Sequence, residues 1–155
     1  MERRFENRAV IVTGAGTGMG RAVALRLARE GATVALWGRR EDPLEEVARM
    51  IRHDGGTAHV QTCDISRPET IARCLAATLS HIGRLDALFA NAGILGAFKP
   101  LRETEVTEFS DLIQTNLIGT KQTVAECLPH MEDGAVLVNA SWTAGAVMPG
   151  TGAYA

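Results

Sequence analysis

Cysteine is scarce in this sequence, and what there is does not pair. Three residues, Cys63, Cys74 and Cys127, are an odd number without C-x-x-C spacing, which argues against a disulfide framework or a zinc ribbon and points to a reducing cytoplasm. Excess charge is missing too: 16 Lys and Arg stand against 18 Asp and Glu, a net charge of −2. No field therefore draws the chain to nucleic acid or to an anionic membrane. No apolar run reaches the length of a membrane span, and Met1-Glu-Arg-Arg-Phe-Glu-Asn is too charged for the apolar region of a signal peptide. The four histidines, His53, His59, His81 and His130, are scattered and flank no carboxylate pair at ligand spacing. They read as surface or helix-end residues, and no metal site is expected. Repeats and low-complexity segments are absent.

What is present begins with Ala9 to Glu30, AVIVTGAGTGMGRAVALRLARE. A short β-branched run, Ala9 to Val12, has the character of a buried strand. Glycines follow at every second position, Gly14, Gly16, Gly18 and Gly20. Ala22, Val23, Leu25, Leu27 and Ala28 then supply one helical face, with Gly31 as C-cap. Strand, glycine-rich turn and helix bring backbone N–H groups and a helix N-terminus to a phosphate. Spacing decides among the known versions. G-x-G-x-x-G fails because Met19 stands where its third glycine belongs, and no Gly-Lys-Ser/Thr of a Walker loop occurs. A methyltransferase-type loop lacks its acidic residue, since Val12 is there. T-G-x-x-x-G-x-G, from Thr13-Gly14 to Gly18 and Gly20, does fit, and by that pattern the chain resembles the short-chain dehydrogenase/reductase family.

Strand and helix patterns alternate along the remaining chain. Strands are expected at Thr33–Trp37, Ala58–Cys63, Leu85–Ala90 and Ala135–Ala140. Asp42-Pro43-Leu44-Glu45 and Ser66-Arg67-Pro68-Glu69 read as capping boxes that open the second and third helices. A long helix is expected from about Glu105 to Leu128, its buried face formed by Phe109, Leu112, Ile113, Leu117, Thr120 and Val124. Strands separated by helices must cross over and lie parallel. Right-handed crossovers then give an α/β, doubly wound, Rossmann-like sheet of order 3-2-1-4-5. Ligands of such sheets bind at the carboxyl ends of the strands, beside the switch point between strands one and four.

Candidate site residues fall at those ends. The resemblance implies a nicotinamide cofactor wrapped by Gly14, Gly16, Thr17, Gly18, Met19 and Gly20. Asp64, followed by Ile65, ends the third strand, where its carboxylate either accepts a hydrogen bond from the adenine amino group or is a solvated residue at a helix start. Asn91-Ala92-Gly93 ends the fourth, with Gly93 allowing close approach to a ribose and Asn91 tying neighbouring strands. The family usually shows two asparagines before Ala-Gly, and Ala90 replaces the first. Asn116 lies on the buried face of the long helix and must be satisfied there. It is either a core amide bonded to backbone or, as the resemblance implies, the residue that holds a water in the proton relay and bends the helix.

Ser141 and Tyr154 stand 13 residues apart, after the fifth strand, and resemble the family's catalytic pair. Tyr154 would exchange a proton with the substrate oxygen while hydride moves to or from the nicotinamide, and Ser141 would hold that oxygen. Bringing a phenol from pKa ~10 to neutral pH takes roughly 4 kcal/mol of preferential stabilisation of its anion. The resemblance assigns much of that to a Lys four residues after the Tyr, a place beyond Ala155. Residues 1–155 are therefore expected to be one dinucleotide-binding domain cut short at its C-terminus, without the family's last strands and helices and inactive alone. The function implied is an NAD(P)-dependent oxidoreductase acting on a small alcohol or carbonyl, a homo-oligomer when complete. The absent Lys leaves open a non-catalytic nucleotide-binding module.

Cofactor choice turns on the end of the second strand. Gly38 stands where an NAD-preferring site has an acidic residue, and Arg39 and Arg40 follow. Paired guanidinium donors suit a 2′-phosphate, which favours NADP over NAD with Arg39 as the main contact. The competing reading pairs both arginines with Glu41 or Asp42, or leaves them solvated.

Overall fold

A computed structural model describes residues 3–139. Five strands alternate with helices: β1 (Ala9–Thr13), α1 (Gly18–Arg29), β2 (Thr33–Gly38), α2 (Glu41–His53), β3 (Thr57–Thr62), α3 (Pro68–Ile82), β4 (Ala87–Ala90), α4 (Val106–Ile113), α5 (Thr120–Cys127) and β5 (Ala135–Val138). All four strand pairings are parallel and the order is β3-β2-β1-β4-β5, as the alternation predicts. The sheet reverses direction of growth between β1 and β4, where Val10, Ile11 and Val12 face Ala87, Leu88 and Phe89.

Side chains alternate across the strands and make two cores. Val10, Val12, Val34 and Leu36 pack with Ala24 and Ala28 of α1 and with Leu44, Val47 and Ile51 of α2. Ile11, Ala35, Trp37 and Leu88 pack on the opposite face with Ile71 and Leu75 of α3 and Cys127 of α5. With both faces covered, all five residues of β1 are buried, which is why its sequence reads as an unbroken apolar run. The one polar atom of Trp37, its indole N–H, donates to the Thr78 hydroxyl at 2.9 Å inside the second core.

Three local expectations are corrected. Neither capping box forms: α2 begins two residues earlier, at Glu41 after Arg40, and α3 begins one residue later, at Pro68 after Arg67, with no side-chain cap on either. The Ser66 hydroxyl is instead engaged by the Asp64 carboxylate at 2.7 Å. His59 is neither a surface nor a helix-end residue. It lies half-buried in β3 and stacks on His81 of α3 with ring centroids 4.1 Å apart.

The third correction concerns the long helix. Its middle, Gln114–Gly119, is π-helical between α4 and α5. The buried residues are Leu112, Thr115, Gly119, Thr123 and Cys127, while Phe109 and Leu117 are exposed. Small residues face inward because the helix rides close on its neighbours: a Cβ on Gly119 would lie 2.3 Å from the Ile65 carbonyl oxygen.

Candidate functional site

A cleft opens at the carboxyl edge of the sheet, beside the β1/β4 switch. Its walls come from the loop after each of four strands and from one turn of the π-helical segment. Gly14, Gly16 and Thr17 follow β1; Gly38 ends β2, and Arg39, Arg40 and Pro43 follow it. Cys63, Asp64 and Ile65 follow β3; Ala92, Gly93 and Ile94 follow β4, with Thr115 from the helix.

Glycine is required here by contact and by conformation. Gly14 has φ +66° and lies so close to the β4 loop that a Cβ would sit 3.0 Å from the Ala92 Cα. A Cβ on Gly20 would lie 2.2 Å from the Gly14 carbonyl oxygen, so the first turn of α1 packs directly on the loop before it. Thr17 precedes α1 in extended conformation and places no side-chain cap on it, and no acidic residue stands in its first turn. The N-terminal amides of α1 therefore meet the cleft with their positive end unneutralised, an arrangement suited to an anion.

The β4 loop is held from both sides. The Thr13 hydroxyl accepts hydrogen bonds from the Asn91 and Ala92 amides, both at 2.9 Å. The Asn91 side chain donates to the Thr13 carbonyl at 3.1 Å and accepts from Asn139 at 3.1 Å, so Asn91 does tie β1, β4 and the end of β5. Asn116 forms a reciprocal pair with Ile94, accepting from its amide and donating to its carbonyl at 2.8 Å each. Its side-chain amide is thus satisfied by backbone.

On the other wall, the Asp64 carboxylate accepts from the Ser66 amide at 3.0 Å and from the Ser66 hydroxyl through one oxygen, Oδ1. Arg39 and Arg40 are exposed beside the cleft and make no ion pair with any described residue, so the pairing with Glu41 or Asp42 is not formed. Lys99 is committed elsewhere, 2.5 Å from Glu108, and holds that carboxyl below its usual range. Burial pushes the Cys63 thiol well above its ordinary value, and the Cys74 thiol adds to this, so the cysteine in the cleft is no nucleophile. Among the described residues no group of three or more His, Cys, Asp or Glu could hold a metal.

Of the residues expected from sequence, Gly14, Gly16, Thr17, Arg39, Asp64, Ile65, Ala92 and Gly93 converge on the cleft. Gly20 and Asn91 support it from behind, and Asn116 from the helix, whereas Gly18 and Met19 are exposed outside its lining. Ser141 and Tyr154 lie outside the described residues. Sequence reasoning passed over Thr115 and the bracing role of Thr13, while Ile94, which it could read as pocket wall or as core, lines the cleft. Only Thr13 left a signal, as the hydroxyl before the first glycine.

The family model described as short chain dehydrogenase matches residues 8–155. A curated relative, 3beta-hydroxysteroid dehydrogenase of Mediterraneibacter gnavus, is 36% identical over 143 residues, covering 92% of this chain and 52% of its own. The chain thus spans about half the length of that relative. Among solved structures, NAD+-bound xylitol dehydrogenase superposes with TM-score 0.92 at 30% identity, over 97% of this chain and 59% of its own. An alcohol dehydrogenase of the archaeon Thermococcus sibiricus, complexed with 5-hydroxy-NADP, gives 0.88 at 33%, over 95% and 63%. With residues 8–155 matched by the family model and the switch-point cleft in the place that fold dictates, the chain belongs to the short-chain dehydrogenase family.

Proposed function

We propose that the protein containing these residues is an NAD(P)-dependent oxidoreductase acting on a small alcohol or carbonyl compound, with NADP preferred. The observation that carries this is the convergence of the glycine loop, Asp64–Ile65 and Ala92–Gly93 on one cleft at the switch point. The residues present fit a dinucleotide: an uncapped helix N-terminus faces the cleft, and its walls pack so closely at Gly14 and Gly16 that a Cβ would press on Ala92 or Pro43. Arg39 stands at the β2 end without a carboxylate partner, which suits a 2′-phosphate. The same uncommitted cation and the Gly38 beside it offer an NAD ribose no carboxylate.

The bound nicotinamide would supply or take up the hydride. Tyr154 is assigned the proton transfer at the substrate oxygen and Ser141 the hydrogen bond that holds that oxygen. Asn116 is assigned to the relay, its part being to fix the junction of the π-helical turn with Ile94. The unpaired thiols support a cytoplasmic location. Val106, Phe109 and Leu117, exposed along α4 and the π-helical turn, support a homo-oligomer.

Tyr154→Phe in the naturally expressed protein tests the chemistry. Turnover of a verified alcohol or ketone is expected to fall at least a hundredfold, the scale of lost acid–base catalysis, with dinucleotide affinity retained. Full turnover in that variant overturns the mechanism.

A further inference from the structure

Among the described residues no hydrogen bond joins the loops of the two walls directly; each is bonded to the helical turn between α4 and α5. Three consecutive residues of its π-helical turn reach three different places. Gln114 donates through Nε2 to the Ser66 carbonyl at 3.0 Å. Thr115 lies in the cleft itself. Asn116 makes the reciprocal pair with Ile94. At the far end of the same turn, Gly119 lets the Ile65 carbonyl come so near that a Cβ would be 2.3 Å away. A π-helical turn fans consecutive side chains differently from an α-helix, and such turns concentrate at functional sites.

The wall on the β3 side needs such a brace. Residues 64–67 are otherwise held by their own bonds, from Ser66 to the Asp64 carboxylate and from the Arg67 amide and Thr70 hydroxyl to the Asp64 carbonyl. Among the described residues, the Gln114 contact is the one hydrogen bond joining this loop to the helix that also carries Asn116. Losing it leaves the Ser66 carbonyl without that partner and Asp64 and Ile65 free to shift, because both belong to the same short turn.

We propose that Gln114 is a positioning residue for the adenine half of the cofactor, and that the turn Gln114–Gly119 is a clamp setting the spacing of the two walls. This rests on the dinucleotide reading above. Gln114 touches no cofactor; it acts through Ser66 on Asp64 and Ile65. Its removal therefore weakens the half of the dinucleotide that lies against the β3 loop and spares the half against Ile94.

The test compares NADPH, NADH and reduced nicotinamide mononucleotide, which lacks the adenosine half, as ligands of the naturally expressed protein. Gln114→Leu keeps the volume and removes the donor. Dissociation constants for both dinucleotides are expected to rise about three- to tenfold, the scale of one neutral hydrogen bond. The mononucleotide is expected to bind unchanged within about twofold, and the NADPH-to-NADH ratio to stay put. Gln114→Asn, one methylene too short to reach, should give the same split and serves if the Leu variant does not fold. Gly119→Ala, which presses on the Ile65 carbonyl, should give a larger loss of the same kind. Wild-type dinucleotide affinity in the Gln114 variants overturns the clamp, as does an equal loss of mononucleotide. If the wild-type protein binds neither dinucleotide, the cofactor reading itself has failed, a result distinct from either.

Discussion

The two edges of the sheet treat arginine in opposite ways. At the amino edge, guanidinium groups are spent on carboxylates. Asp86, just before β4, accepts from Arg8 at 2.8 Å, from Arg84 at 2.8 Å and from the Ala9 amide at 2.9 Å. Glu30, at the end of α1, is fully buried and takes both Arg4, at 2.7 Å, and Arg26. At the carboxyl edge, Arg39 and Arg40 line the cleft and make no ion pair with a described carboxylate. Exposed arginines without an ion pair to any described residue occur elsewhere, Arg49 and Arg73 among them, so lack of a partner alone means little. The difference teaches that charge satisfied inside the chain holds the fold, and charge left open beside a cleft is available to a ligand.

Removing Asp86 gives the largest effect and strikes only one side of that comparison. Asp86→Ala deprives two guanidinium groups and a backbone amide of their acceptor, and is expected to cost about 3 kcal/mol in urea unfolding. Cofactor affinity should hold, since the cleft is at the other edge. Unchanged stability would dissolve the distinction between the edges. The same ion pairs set the acid limit. Burial alone would raise the Asp86 carboxyl, but the bonds from Arg84, the Ala9 amide and Arg8 hold it at about 2. Hydrogen bonds from Arg4 and then Arg26 hold Glu30 at about 2. Both values lie below those of an unfolded chain, so this stabilisation is complete above about pH 4.5 and is lost as pH falls towards 2. An Asp86→Asn variant is expected to lose part of that dependence.

Arg39→Ala strikes the other side. NADP binding should weaken by about 2 kcal/mol, the scale of a charge-assisted hydrogen bond, measured at fixed ionic strength because the contact is exposed. NAD binding and unfolding stability are expected to stay where they were. A wild-type preference for NAD, or equal loss of both cofactors, defeats the phosphate reading while leaving the fold untouched.

The sheet order and the glycine loop were legible because period and spacing are carried by residue type. Alternating apolar runs and helical faces give the order 3-2-1-4-5, and a T-G-x-x-x-G-x-G loop can sit in few other places. The long helix was not legible in its middle. A face drawn with a 3.6 period and weighted towards large apolar residues selects Phe109 and Leu117. The π-helical turn breaks that period, and close approach to Ile65 selects small residues, so Thr115, Gly119 and Thr123 face inward instead. Gln114 gave no sign at all, since its partner is the backbone of a loop distant in sequence. The capping box at Ser66 failed for a related reason: its hydroxyl donates to the Asp64 carboxylate, which holds the side chain in the turn before α3 and away from the helix amides.

His59 belongs to neither edge and gives the smallest of these effects. It sits in β3, the outermost strand on its side of the sheet, with its Nε2 buried and without a partner among the described residues. A charge there is neither paired nor offered to a ligand; it has to stay off. Burial, followed by the nearby His81 and Arg52, lowers the pKa of its ring, and Glu45 opposes them weakly. The folded value therefore lies below that of an unfolded histidine, about 6.5. Below that pH the unfolded chain binds a proton that the folded chain resists, so stability is complete above about 6.5 and declines as pH falls through it. Urea unfolding at pH 7.5 and 5.5 should show this decline in the wild type and a shallower one in His59→Phe, which keeps a ring to stack on His81. An identical slope in the two proteins would mean that the ring already has a partner when folded. The rule that buried charge is held by a carboxylate or handed to a ligand would then have no exception in this molecule.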